Sequence, residues 1–202
     1  MIAGLILAAG ESRRMGRDKV LLTYHGRTFL ETILAQLLDA GVENVAVVLG
    51  HHAEAIRAAV DLGGARVVFN SQYSLGQTSS LQAGLAALEA STPDAVVLCL
   101  GDHPAISARV IRLLVERFEP VQPPAVIPTH GGRPGHPVVI GRALFPELLA
   151  LSAAVGADTV MHKYRDSTHF VEVGDPGILL DVDDPDGYAA LVKREWGVES
   201  GE

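Results

Sequence analysis

Residues 5–22, "LILAAGESRRMGRDKVLL", set an apolar run against a knot of positive charge. Arg13, Arg14, Arg17 and Lys19 lie within seven positions, just beyond the small residues Ala8, Ala9 and Gly10. With no bulky side chains in the way, backbone N–H groups there can approach phosphate oxygens closely. Arg14 and Lys19 can then neutralise a polyphosphate. The loop is not a Walker A sequence, because its glycine spacing differs and no Ser or Thr follows the lysine. It also lacks the G-x-G-x-x-G of dinucleotide-binding proteins. Judged by charge clustering alone, a solvated basic turn is the competing reading.

Two acidic stretches could complement those cations. In "LCLGDHP" (98–104), Asp102 follows an apolar run and Gly101 and precedes His103. A carboxylate at a strand end suits Mg²⁺, which takes one or two carboxylates plus substrate phosphates. A turn or cap role would explain Asp102 equally well. In "LLDVDDPDGY" (179–188), Asp184 and Asp186 flank Pro185 and suit a helix start. Asp181 and Asp183 precede that start in extended chain, where alternate side chains share one side. One of them can supply a second carboxylate.

Further candidates carry weaker signals. Ser79 and Ser80 in "NSQYSLGQTSSL" (70–81) can meet a base or sugar, or simply cap a helix. "GGRPGHPVV" (131–139) brings Arg133 and His136 into a hairpin-like stretch. His51 and His52 have no sequence partner at metal-ligand spacing, which argues against zinc.

The positioning elements follow from hydrophobic pattern. "GLILA" (4–8), "NVAVVLG" (44–50), "RVVFN" (66–70) and "AVVLCL" (95–100) are continuous apolar runs, as in strands covered on both faces. Helical spacing separates them. Phe29 to Leu38 form one amphipathic segment, with Thr28 and Glu31 as a capping box and Gly41 at its end. Ser79 and Gln82 suggest a similar box before "LQAGLAALEA", and Ser107 a cap for residues up to Phe118. Strand–helix alternation predicts an α/β, doubly wound, mainly parallel sheet. Residues 124–130, 136–141 and 169–174 read as further strands with some antiparallel pairing, giving a mixed sheet. Helices are expected over 142–151, 156–164 and 185–196. Ligands of such sheets bind beyond the strands' carboxyl ends, which selects loops 8–19, 50–53, 70–80 and 101–104.

Composition narrows the partners. The 202 residues carry a formal net charge of -8, against general nucleic-acid binding. No apolar run approaches the roughly 20 residues needed to span a bilayer. The N-terminus lacks a signal-peptide pattern, and the one cysteine, Cys99, lies in an apolar run. Both point to a cytoplasmic protein, with Cys99 in the core.

In this order, "LILAAGESRRMGRDKVLL", "GQTSSLQAG", "GDHP", "PGHPVV" and "LLDVDDPDGY" resemble the nucleotidyltransferases of molybdenum cofactor biosynthesis, especially the cytidylyltransferase branch. The resemblance implies a Rossmann-like nucleotidyltransferase fold in a single domain over 1–197. Its nucleotide-binding half would run to about 104 and its acceptor-binding half from about 105, with 198–202 a frayed tail. It implies transfer of CMP from CTP to a molybdopterin-type acceptor, with pyrophosphate released. Leu7, Ala8, Ala9 and Gly10 would bind the base, and Arg14 and Lys19 the triphosphate. Asp102 and Asp183 would hold Mg²⁺. Ser79 and Ser80 would fall in the nucleotide pocket, and His136 in the acceptor pocket. A molybdoenzyme or its chaperone would receive the product, and neither nucleic acid nor membrane would be a partner. Guanylyltransferase relatives usually carry two glycines where this chain has Ala9 and Gly10, which tilts the donor towards CTP. His103 stands where glutamine is frequent, and "SAAVGADTV" departs from the acidic and arginine pattern of many members. The alternatives are GTP or a different phosphorylated acceptor on the same fold, a noncatalytic cofactor carrier, and a dinucleotide-binding oxidoreductase.

Overall fold

The computed structural model describes residues 1–195. The tail expected to fray lies outside the described residues, as does Trp196 at the end of the last expected helix. Ten strands are described: β1 (Ile2–Ala8), β2 (Thr23–Tyr24), β3 (Arg27–Thr28), β4 (Val45–Leu49), β5 (Arg66–Phe69), β6 (Ala95–Leu100), β7 (Ala125–His130), β8 (Arg133–Pro134), β9 (Val138–Gly141) and β10 (His169–Glu172). Seven helices accompany them: α1 (Phe29–Asp39), α2 (Ala53–Ala59), α3 (Gln77–Leu88), α4 (Ala108–Phe118), α5 (Phe145–Ala150), α6 (Asp158–Lys163) and α7 (Pro185–Glu195).

The main sheet runs β10-β7-β9-β6-β1-β4-β5, with β8 paired to β7. β1 pairs in parallel with β4 on one side and β6 on the other. β9 is antiparallel to both β6 and β7, while β7 and β10 pair in parallel. The sheet is mixed and mainly parallel, on a single-domain α/β fold. The runs of β1, β4 and β6 are buried on both faces because alternate residues serve different cores, whereas the run expected to be covered at 66–70 forms the edge strand β5, whose Arg66 and Phe69 are exposed. Ile6 and Ala8 of β1 pack with α1 and α4 through Leu30, Ile33, Ile111 and Leu114. Leu5 and Leu7 pack on the other face with Leu81, Leu85 and Leu148. Cys99 is 1% exposed in the first of these cores.

Local chemistry sets the helix ends. Thr28 and Glu31 form the expected capping box, and Ser107 caps α4. Gly41 follows α1 at φ +85°, a left-handed conformation that suits glycine. The expected Ser79–Gln82 box is corrected. α3 begins at Gln77 after Gly76, so both serines lie inside its first turn. Ser79 Oγ donates to the Gln72 and Gly76 carbonyls, and Gln82 Nε2 reaches the Leu148 and Leu151 carbonyls. Gln82 therefore satisfies carbonyls at the C-terminal end of α5 rather than capping its own helix.

The chain winds from β1 out to β4 and β5, then returns to β6 on the other side of β1. That reversal makes a crevice beyond the carboxyl ends of β1 and β6. The basic loop and Asp102 meet there.

Candidate active site

Loop 9–18 leaves β1 and ends in a short 3₁₀ turn at Lys19–Leu21. The Lys19 N–H donates to Ser12 Oγ at 3.0 Å, folding the loop onto itself. Met15 anchors it from below, in a small apolar cluster with Leu22, Phe29, Val182 and Leu191. This cluster also draws the C-terminal acidic segment towards the loop. The Val182 N–H donates to the Asp102 carbonyl at 2.9 Å, which fixes Asp183 beside the end of β6. Gly101 lets the strands close up, since a Cβ there would lie 2.9 Å from Val20 Cγ1 and 3.1 Å from the Leu7 carbonyl oxygen.

The resulting charge constellation is compact. Lys19 Nζ lies 2.6 Å from Asp183 Oδ1 and 3.7 Å from Asp102 Oδ2. Arg14 reaches Asp183 Oδ2 at 2.7 Å. The Lys19 hydrogen bond holds the Asp183 carboxyl below its usual range, helped by the charge of Lys19 and Arg14 and opposed by desolvation. The other two cations have separate partners: Arg13 pairs with Glu11, and Arg17 lies over the Tyr188 ring. The basic cluster thus divides, with Arg14 and Lys19 turned towards the carboxylates.

Arg14, Lys19, Asp102 and Asp183, together with Arg13, line a cavity of about 530 Å³ with Leu7, Ala8, Ala9 and Gly10. Ser80 lines it too, whereas Ser79 is absent from the lining and is held by backbone carbonyls. Asn70 Nδ2 donates to both serines at 3.0 Å, so a structural contact already engages each hydroxyl. Ser12, Tyr73, Gln77 and Asp181 also line the cavity. Ser12, Tyr73 and Gln77 carry no distinguishing sequence signal, while Asp181 shares the alternation that marks Asp183.

His103 borders the same cavity, with Nε2 3.8 Å from Asp102 Oδ1. Burial lowers its pKa, against the opposing charges of Asp102, Asp181 and Asp183. Its buried Nδ1 has no hydrogen-bond partner among the described residues. The His136 ring sits 5.0 Å from that of His103, centroid to centroid. Burial, reinforced by the charge of His103, pushes His136 down to about 4. His136 lines a second cavity, also about 530 Å³, which shares Leu7, Gly76 and Gln77 with the first. Leu81, Leu98, Ile127, Val138 and Ile140 make this one largely aliphatic. No lysine or arginine lines it among the described residues.

A divalent cation fits the first cavity. The Lys19 ammonium lies between Asp102 and Asp183, so both carboxylates already converge on one positive charge. Two carboxylates with room for phosphate oxygens is a donor set suited to Mg²⁺.

Comparison with known proteins bears on the fold and the chemistry together. Residues 4–168 match the model of the MobA-like NTP transferase domain. The chain belongs to this nucleotidyltransferase family. Nicotine blue oxidoreductase from Paenarthrobacter nicotinovorans is 33% identical over 90% of this chain and 92% of its own length. Molybdenum cofactor cytidylyltransferase from Escherichia coli is 24% identical over 94% of this chain and 95% of its own. Among solved structures, Rv0371c from Mycobacterium tuberculosis superposes with a TM-score of 0.83 at 32% identity, covering 95% of this chain and 97% of that one. A manganese complex of Rv0371c superposes with a TM-score of 0.79. No helix among the described residues is long and apolar enough to cross a membrane.

Proposed function

We propose that this transferase joins CMP from CTP to a molybdopterin-type acceptor and releases pyrophosphate, with Mg²⁺ as its metal. The observation that carries this reading is the convergence of Arg14 and Lys19 with Asp102 and Asp183 at the mouth of β1 and β6. The relative named a cytidylyltransferase, together with Ala9 in place of the first of two glycines, supports CTP.

The division of labour follows from charge. A nucleoside triphosphate and a phosphorylated acceptor repel one another. Arg14, Lys19 and the backbone N–H groups of the Ala8–Gly10 loop offset that repulsion and favour charge developing around the α-phosphorus. Mg²⁺, held by Asp102 and Asp183, would supply Lewis-acid charge to the triphosphate. An acceptor phosphate, with a second pKa of about 6, is largely deprotonated near neutrality, so no general base is needed. His103 and His136, both held towards their neutral forms, can hydrogen-bond a substrate without adding charge. The acceptor's body would occupy the aliphatic cavity, next to the triphosphate. On this reading the nucleotide-binding half would run to about residue 104, with Asp183 contributed from the acceptor-binding half, in a cytoplasmic protein that would hand its product to a molybdoenzyme or its chaperone.

A second reading within the family rests on the same aliphatic cavity. With no cation in its lining, it also suits a different phosphorylated acceptor whose body is uncharged. Hydride transfer, raised by the relative named an oxidoreductase, has no support in the loop, which lacks G-x-G-x-x-G. The test is pyrophosphate release from four nucleoside triphosphates, each paired with molybdopterin and with sugar phosphates. Release only with CTP and molybdopterin is expected. Release with another pair reassigns the substrates, and none with any pair turns the reading towards a carrier.

A further inference from the structure

Beside the charged cavity lies a second group of ligating side chains that the transfer chemistry does not use. Asp18, His51 and His52 each offer a ligand atom, and these atoms lie within 4.8 Å of one another. Asp18 directly precedes Lys19, while the two histidines join β4 to α2. His52 Nδ1 is 3.1 Å from Asp18 Oδ2, although the residues are 34 apart in sequence. The His51 and His52 rings are 3.8 Å apart, and the His51 N–H donates to the Ala9 carbonyl at 3.2 Å. His52 holds φ +49°, a left-handed conformation that non-glycine residues seldom adopt. A third candidate ligand that sequence spacing does not report thus arrives through tertiary structure.

We propose that Asp18, His51 and His52 form a second metal site that takes a zinc-class divalent cation. Two imidazoles and one carboxylate suit zinc, cobalt or nickel, whereas Mg²⁺ prefers an all-oxygen set. Ligand atoms about 2.0–2.2 Å from a tetrahedral ion stand roughly 3.3–3.6 Å apart, so the triad closes on a metal with shifts of about an ångström. Three protein ligands leave a fourth position for water or a substrate atom. A metal here would pin the residue preceding Lys19 to the β4–α2 turn, stiffening the loop that carries the active-site cations. The site does not depend on which nucleotide or acceptor the enzyme uses.

Equilibrium dialysis of the whole protein against Zn²⁺ in excess Mg²⁺ tests the proposal. The wild type is expected to hold one zinc equivalent that Asp18→Asn, His51→Gln and His52→Asn each bind about tenfold or more weakly. Asparagine tolerates positive φ, so His52→Asn preserves the turn, and circular dichroism confirms that each variant folds. Asp102→Asn should retain this zinc. In the wild type, the ring nitrogen resonances of His51 and His52 should shift on zinc addition. Zinc binding unchanged in Asp18→Asn and His52→Asn, or lost only in Asp102→Asn, would overturn the assignment.

Discussion

The two adjoining cavities are equal in volume, about 530 Å³ each, yet opposite in chemistry. The first is built from loops beyond β1 and β6 and holds Arg14, Lys19, Asp102 and Asp183. The second is walled by aliphatic side chains of α3, β6, β7 and β9 and by the mostly small or apolar residues of 153–161, with Asp158 as its one fully charged group among the described residues. They share Leu7, Gly76 and Gln77 and so adjoin one another. Charge is concentrated where the proposed function puts polyphosphate and metal. Beyond that point, shape and apolar burial do the recognising. Ionised hydrogen bonds fix geometry, while apolar burial is non-directional and tolerates change in the partner. On the proposed function, the charged cavity would fix the reaction and the aliphatic one the acceptor.

Substitutions can break that contrast or sharpen it. The largest effect is expected from Lys19→Ala, which should lower turnover about 10²–10³-fold, as loss of one donor to developing negative charge does. Near-normal turnover would remove Lys19 from the chemistry. Asp102→Asn should lower transfer about 10²-fold at every Mg²⁺ concentration, through loss of metal charge at the phosphates; a rate equal to wild type would misplace the metal. Ile127→Glu, in the aliphatic cavity, should raise the acceptor KM roughly tenfold by placing a charge among apolar groups. The KM for CTP should hold, and a matching rise in both would merge the two cavities into one functional site.

Two subtler effects follow from electrostatics. Because Lys19 neutralises Asp102 and Asp183, Mg²⁺ should raise the thermal midpoint of Lys19→Ala more than that of the wild type. Equal shifts would separate Lys19 from the metal carboxylates. The smallest effect concerns His136, whose folded pKa of about 4 lies below its ordinary 6.5. The unfolded chain binds the proton more readily, so this contribution is complete above pH 6.5 and is lost as pH falls towards 4. His136→Asn should flatten the dependence of the thermal midpoint on pH in that window. An unchanged slope would show that other groups set it.

Much of this architecture was legible before any coordinates. The run "AVVLCL" is β6 residue for residue, and the Thr28–Glu31 box forms as its spacing requires. These features are local, or nearly so. Arg14, Lys19 and Asp102 stood out because each follows a buried strand, and Asp183 was one of two alternating candidates. The failures have different causes. Ser79 and Gln82 have capping-box spacing, but Gly76 at φ +113° starts the helix earlier, the nearby Gln72 and Gly76 carbonyls take Ser79, and the distant Leu148 and Leu151 carbonyls take Gln82. Asp18 joins His52 because the β1 loop folds back against the β4–α2 turn, which no local spacing reports.

The central claim, that the acidic pair and the basic loop surround one metal-bound triphosphate, can be measured most directly by anomalous scattering from crystals grown with CTP and Mn²⁺. A manganese peak within coordination distance of the Asp102 and Asp183 carboxylates is predicted, with Lys19 turned onto the phosphates. A nucleotide seated elsewhere, or manganese found only at Asp18 and the two histidines, would contradict it.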